Sequence, residues 1–208
     1  MIVYKFNVGF YQTNCYLLVD EDSKQCAIID PGDVCNELDK CIIDNDYSVK
    51  YIFFTHGHFD HIGGMEYYMS KFDDSLVLMD INDVESIKKK YDVFNANLKN
   101  IENAVKNITL HKVGAQYKLG NKNIDVINTP GHSKGSISLY IDGILFSGDT
   151  LFEHSIGRTD FIDGNFEELK KSIQLLYKLP DNTRVYPGHG DVTTIFNEKH
   201  NNPYVRGI

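Results

Sequence analysis

The run Thr55-His56-Gly57-His58-Phe59-Asp60-His61 places three histidines and an aspartate within six residues. Imidazole nitrogen and carboxylate oxygen are the donors that zinc and other first-row divalent metals take. His56 and His58 are two apart, so in an extended chain they point the same way. Asp60 and His61 follow where the chain should turn into a helix, and so face a second point in space. One short segment can therefore supply two neighbouring metal ions. A lone loop histidine is usually just solvated or hydrogen-bonded. Four such donors directly after an apolar strand are not explained that way.

Three further candidates stand in matching contexts. His132, Asp149 and His189 each lie just past the end of an expected strand, in Pro130-Gly131-His132, Ser147-Gly148-Asp149 and Pro187-Gly188-His189. Taken singly, a Pro-Gly-His is more often a turn with an exposed histidine. If these strand ends share one edge, His56, His58, Asp60, His61, His132, Asp149 and His189 converge. Two tetrahedral or five-coordinate metals need about that many donors, with room left for water. His111 and His200 lack this context and are expected at the surface. His154, in the loop after Asp149, has a cleft-lining role as its minority reading and a surface position as the main one.

The elements that must position these loops can be read from period and punctuation. Strands are expected over 2–8, 13–20 and 25–30, the last ending at Asp30-Pro31-Gly32-Asp33. Val34, Leu38, Cys41 and Ile42 fit a helix face with Asp33 as N-cap. The apolar strand 49–54 then enters the ligand loop. A helix over 62–72 and a buried strand over 76–79 follow. Residues 81–91 and 95–106 read as polar helices, an exposed insertion or a substrate-side flap. In the second half, 116–119 pairs with 123–128 across Gly120-Asn121-Lys122, and 136–141 with 144–147 across Asp142-Gly143. Phe166, Leu169, Ile173 and Leu176 mark an amphipathic helix with Asn165 as N-cap, and 184–186 is a last strand. Two packed sheets with helices outside both satisfy this order, and so does an open α/β sheet.

Whole-chain quantities narrow the function. A chain of 208 residues fits one domain, 1–208. The net charge of −8 argues against a general nucleic-acid binder. No apolar run approaches the ~20 residues that span a bilayer, and no secretory signal opens the chain, so a cytoplasmic protein is expected. Cys15, Cys26, Cys35 and Cys41 form no Cys-x-x-Cys pair and are expected reduced and buried. No Gly-x-Ser-x-Gly elbow offers a serine nucleophile.

The His-x-His-x-Asp-His run at 56–61, followed in order by Gly131-His132, Gly148-Asp149 and Gly188-His189, resembles the metallo-β-lactamase-fold hydrolases. The resemblance extends from Asp30 to His189. Thr55 to Gly64 and the loop Phe152 to Asp160 look most like the glyoxalase II-related branch. The resemblance implies an α/β (α+β) metallo-β-lactamase fold, an αβ/βα four-layer sandwich of two mixed sheets with helices on both outer faces. It implies two divalent metals, zinc with iron or manganese as alternatives. One is held by His56, His58 and His132, the other by Asp60, His61 and His189, with Asp149 bridging. It also implies hydrolysis of a small thioester, S-lactoylglutathione or another acylated thiol, by a metal-bridging hydroxide. In that scheme Asp60 both ligates and orients the nucleophile, and Arg158 either orients an anionic substrate group or staples its own loop. Asp30, Ser133 and Thr150 are expected to orient ligands. Hydrolysis of another ester, a lactone or a phosphodiester, and iron redox chemistry, are the alternatives. The C-terminal helical extension that binds glutathione in longer enzymes of the branch is not expected here, where 19 residues follow His189. A cysteine commonly replaces Asp149 in true β-lactamases, so antibiotic hydrolysis is not expected.

Overall fold

A computed structural model describes residues 1–94, 109–110 and 115–205. Six strands form the first sheet, in the order β1 (Ile2–Val8), β2 (Thr13–Asp20), β3 (Gln25–Ile29), β4 (Ser48–Phe53), β5 (Leu76–Met79) and β6 (Thr109–Leu110). Its first three strands run antiparallel and β3 to β6 run parallel. The second sheet is built from β7 (Gln116–Leu119), β8 (Lys122–Asn128), β9 (Ile137–Ile141), β10 (Ile144–Gly148), β13 (Arg184–Pro187) and β14 (Thr193–Thr194), in the order β14-β13-β10-β9-β8-β7. Only β10 and β13 pair in parallel there. A small hairpin of β11 (Leu151–Phe152) and β12 (Ser155–Ile156) follows Asp149.

Alternation along β2 explains the layers. Cys15, Leu17 and Val19 join one core with α1 (Asn36–Asp44), α3 (Met65–Lys71) and α4 (Ile81–Phe94), through Leu38, Met65, Tyr68, Val84 and Ile87. Tyr16 and Leu18 point the other way, into the core between the sheets, against Phe146 and Tyr186. A strand buried on both faces has no polar side, which is why β2 reads as continuously buried. A third core lies between the second sheet and α5 (Phe166–Leu176) with α6 (Ile195–Asn201). Three cores between four layers make the αβ/βα sandwich of mixed sheets.

Several boundaries differ from those read in the sequence. Asp33 does not cap α1: the N-cap is Cys35, and Asp33 Oδ1 accepts from Val34 N at 2.7 Å. The helix starts later because residues 30–33 wrap the ligand loop, with Gly64 N donating to Pro31 O at 2.9 Å. The helix expected over 62–72 is two pieces, α2 (Phe59–Ile62) and α3. The break falls at Gly63-Gly64, where a Cβ would stand 2.3 Å from Gly32 O and 2.6 Å from Pro31 O. The start of α4 is no exposed insertion, since Asp83, Val84 and Ile87 are each 1 % exposed. The second polar helix expected at 95–106 lies outside the described residues, as does His111. Among the described residues no helix is long and apolar enough to cross a membrane. The four cysteines are unpaired, and burial pushes every thiol up, Cys26 to about 12.

Parallel pairing is what aligns the loops. Ile29 stands opposite Phe53, so Asp30 and Thr55 leave the first sheet side by side. Gly148 stands opposite Pro187, so Asp149 and His189 leave the second sheet together. The two edges are joined by Ile137 N donating to Thr55 O at 2.9 Å and Asn14 N donating to Gly188 O at 2.7 Å.

Candidate metal centre

All seven side chains expected as ligands meet at this edge. Three overlapping sets have donor atoms within 4.8 Å of one another: His56, His58 and His132; His56, His61 and Asp149; Asp60, His61 and His189. Donors ~2.0–2.1 Å from one tetrahedral metal stand ~3.3–3.4 Å apart. Two spacings match: His61 Nε2 to His189 Nε2 and His189 Nε2 to Asp60 Oδ2 are each 3.3 Å, whereas His58 Nδ1 and His132 Nε2 are closer, at 2.8 Å, a hydrogen-bond distance. Asp149 lies between the groups, with Oδ1 3.4 Å from His61 Nε2 and Oδ2 3.5 Å from His132 Nε2. Gly188 leaves room for it: a Cβ there would sit 2.2 Å from Asp149 Oδ1.

Hydrogen bonds fix which nitrogen each imidazole offers. His61 Nδ1 donates to Asp30 Oδ2 at 3.0 Å. Thr55 Oγ1 donates to the same oxygen at 2.6 Å and so accepts from His56 Nδ1 at 3.1 Å. His132 Nδ1 donates to the Arg158 carbonyl at 2.8 Å. In all three rings Nε2 is left facing the centre, the arrangement metal-ligating histidines adopt. Of the six buried side-chain atoms that make no hydrogen bond among the described residues, two belong to this cluster, His56 Nε2 and Asp149 Oδ1. A buried polar atom without a hydrogen bond is costly, and a cation bound among these donors would satisfy both. The residues therefore fit a pair of divalent metals.

Electrostatics point the same way. Burial, then nearby His61, pushes His56 well below its ordinary value and keeps it neutral. Burial also pushes His61 down, but Asp149 and Asp30 outweigh it and lift His61 to about 9. Burial raises the Asp60 carboxyl, yet His189, His61 and Thr13 together hold it well below the usual carboxylate range. Thr13 Oγ1 donates to Asp60 Oδ2 at 3.1 Å.

Other expected residues fall elsewhere. Of the three side chains expected to orient ligands, only Asp30 does so. Ser133 Oγ bonds Asp83 and Ser136, and Thr150 Oγ1 bonds Thr129. His154 is exposed and does not line the cavity; its backbone N–H bonds Glu198. His200 is exposed, as expected. Arg158 lies on the cavity rim, forked onto Asp160 at 2.9 and 2.8 Å. Residue reading alone missed Thr55, Thr13 and Asp83, whose partners are distant or hidden in the backbone.

Above the centre opens a cavity of about 620 Å³. Its floor is His58, Asp60, His132, Asp149 and His189. Such a volume suits a small molecule held over reactive groups.

Comparison with known proteins agrees with this geometry. Residues 8–189 match the Metallo-beta-lactamase superfamily, and the chain belongs to it. It is 35 % identical to hydroxyacylglutathione hydrolase GloC of Haemophilus influenzae over 95 % of both chains. Among solved structures, BLEG-1 B3 metallo-beta-lactamase is 31 % identical with a TM-score of 0.84, covering 99 % of this chain and 100 % of that one. TTHA1623 in a di-iron-bound form is 29 % identical with a TM-score of 0.78, covering 97 % and 99 %. The chain is thus a hydrolase of this superfamily.

Proposed function

We propose that this chain is a dinuclear metal-dependent thioesterase, cleaving S-lactoylglutathione or another small acylated thiol. The observation that carries the reading is the Asp149 carboxylate, set between two donor groups on the floor of one cavity. His56, His58 and His132 would hold one metal, Asp60, His61 and His189 the other, with Asp149 shared. Bound there, two divalent ions supply an acidified water as nucleophile and Lewis-acid polarisation of a carbonyl. Zinc is the proposed metal; iron and manganese accept the same donors, and TTHA1623 is described with two irons.

The chain's own residues do the rest. Asp60, steadied by Thr13 and His189, offers Oδ2 as a fixed acceptor that orients an attacking water beside the carbonyl carbon. Asp30 and the Arg158 carbonyl lock the imidazoles, so little reorganisation is needed during reaction. Among the described residues, the cavity lining adds only the hydroxyls of Tyr11 and Ser155 as further neutral proton donors. A thiol leaves as its anion at a pKa of ~8.5 and needs no strong acid, whereas an alcohol or amine leaving group does. That favours a thioester over an ester or amide. The name of GloC supports the same substrate class.

Likeness to BLEG-1 favours a second reading, cleavage of a β-lactam amide. We further place the enzyme in the cytoplasm, acting on small molecules with no nucleic-acid or membrane partner, in keeping with a net charge of −8. A panel at fixed metal loading tests the reading: S-D-lactoylglutathione, an acetyl thioester, a lactone, a phosphodiester and a cephalosporin. Fastest turnover of a thioester, lost in Asp60→Asn, supports it. Faster turnover of any other bond class contradicts it.

A further inference from the structure

The cavity walls are unlike its floor. Tyr11 and Phe59 meet edge-to-face at 5.5 Å and form one wall, with Phe10 packed edge-on against Tyr11 at 5.4 Å. Tyr11 and Phe59 are 56 % and 59 % exposed, large apolar surfaces left open to water at the mouth of a site. Phe161 forms a second wall, its ring 4.9 Å from that of His58. Phe152 lies 6.3 Å from the ring of His189, and Ile156 lines the cavity beside it.

Charge on the walls is already matched. Among the described residues, Arg158 is the one lysine or arginine that lines the cavity. Its guanidinium is forked onto Asp160 and lies over the Phe161 ring at 4.5 Å. The pair is net neutral, so an anionic substrate group gains little net attraction there, though it can reach the guanidinium N–H groups that Asp160 leaves free. An apolar ring depends on no charge and can stack on the exposed aromatic faces.

We propose that this cleft selects thioesters with a flat apolar acyl group over those whose acyl group carries a carboxylate. Tyr11, Phe59 and Phe161 are the specificity-determining residues, and Asp160 offsets the charge of Arg158. This rests on the thioesterase reading. The reaction is plain hydrolysis. Water oxygen bonds to the acyl carbon, the C–S bond breaks with its electron pair going to sulfur, and a carboxylic acid and a thiol are released.

The test compares two thioesters of N-acetylcysteamine, phenylacetyl and succinyl, on the metal-loaded protein. They share the thiol and the scissile bond and differ only in the acyl group. The expected kcat/KM ratio favours phenylacetyl by about 10-fold or more, with the difference in KM. Phe59→Ala and Phe161→Ala lower that ratio through KM for the phenylacetyl ester. Asp160→Ala lowers it by accelerating the succinyl ester, a gain that structural damage would not produce. Equal or faster cleavage of the succinyl ester by the unaltered protein overturns the proposal, as does a ratio unmoved by all three substitutions. If neither thioester is cut, the thioesterase reading fails by itself. Calorimetric titration of the metal-loaded protein with phenylacetate and with succinate then decides the preference. Tighter phenylacetate upholds it; equal or tighter succinate overturns it.

Discussion

The carboxylate of Asp83 accepts the backbone N–H of Gly57, between the proposed ligands His56 and His58, at 2.6 Å. The same oxygen accepts from Ser133 Oγ at 2.7 Å, and the other oxygen accepts Gly135 N at 2.7 Å. One buried side chain on α4 therefore clamps the His56–His58 loop to the His132 loop. Burial raises its pKa, and these three donors work against that rise. Asp83→Ala leaves two backbone N–H groups unpaired, at about 1–3 kcal/mol each. The expected result is a folded but less stable protein whose metal affinity falls ~10–100-fold, as when groups that orient ligands are lost. Denaturant titration and metal titration of the same variant check both parts.

The two donor groups should be separable. His132→Ala removes a ligand of the first group, and His189→Ala one of the second. Each variant is expected to drop from about two bound metals to about one, while Asp149→Ala weakens both sites because its oxygens face both. Elemental analysis after equilibration with zinc reads this directly. Retention of two metals in Asp149→Ala would contradict the shared role.

Metal loading should depend on pH through His61. In the metal-free protein its imidazole is lifted to about 9, despite burial, by Asp149 and Asp30. A protonated imidazole cannot ligate, so binding must expel that proton. Apparent affinity is expected to rise with pH across neutrality and level off above about 9. Stability of the metal-free protein runs the opposite way. A folded-state pKa raised above the unfolded value of ~6.5 stabilises fully below that value, and the stabilisation is lost as pH climbs through the raised one. Metal titrations and denaturation curves at several pH values check the two slopes.

Glu198 is 0 % exposed and carries the substrate-side hairpin at a distance. Its carboxylate accepts from Thr193, Asn197, Asn202 and the backbone N–H of His154. Asn202 also donates to Ser155 O at 3.0 Å. The β11–β12 hairpin held this way brings Phe152, Ser155 and Ile156 to the cavity. Glu198→Ala is expected to cost about 2–4 kcal/mol in stability through the donors left unpaired. It should raise KM more than it lowers kcat, since the hairpin lines the cavity and holds none of the proposed metal ligands. Steady-state kinetics beside thermal unfolding separates the two.

The ligand loops were legible because three conditions coincide at each one: an apolar strand, a glycine and a metal-binding side chain. Most strands of the two sheets were legible for a similar reason, since apolar runs and local turns bound them; β6 and β14, two residues each, were not. What stayed hidden depends on partners far along the chain. Asp83 sits among polar helix residues before Lys88-Lys89-Lys90, and its partners lie 26 and 52 residues away. The break at Gly63-Gly64 was masked because the apolar period of Ile62, Met65 and Tyr68 continues across it. The hairpin β11–β12 has strands of two residues, too short for any period to register. Asn165 could be read as a cap, and its side chain does accept from Glu168 N at 3.1 Å, because capping is a contact three residues long.

The most direct test of a dinuclear thioesterase is to titrate metal-free protein with zinc while following thioester hydrolysis. The predicted rate climbs until about two equivalents are bound and reaches kcat/KM of at least ~10⁴ M⁻¹s⁻¹, the low end for enzymes. It collapses on chelation and in Asp60→Asn. Two equivalents bound with no thioester hydrolysed above background would contradict it.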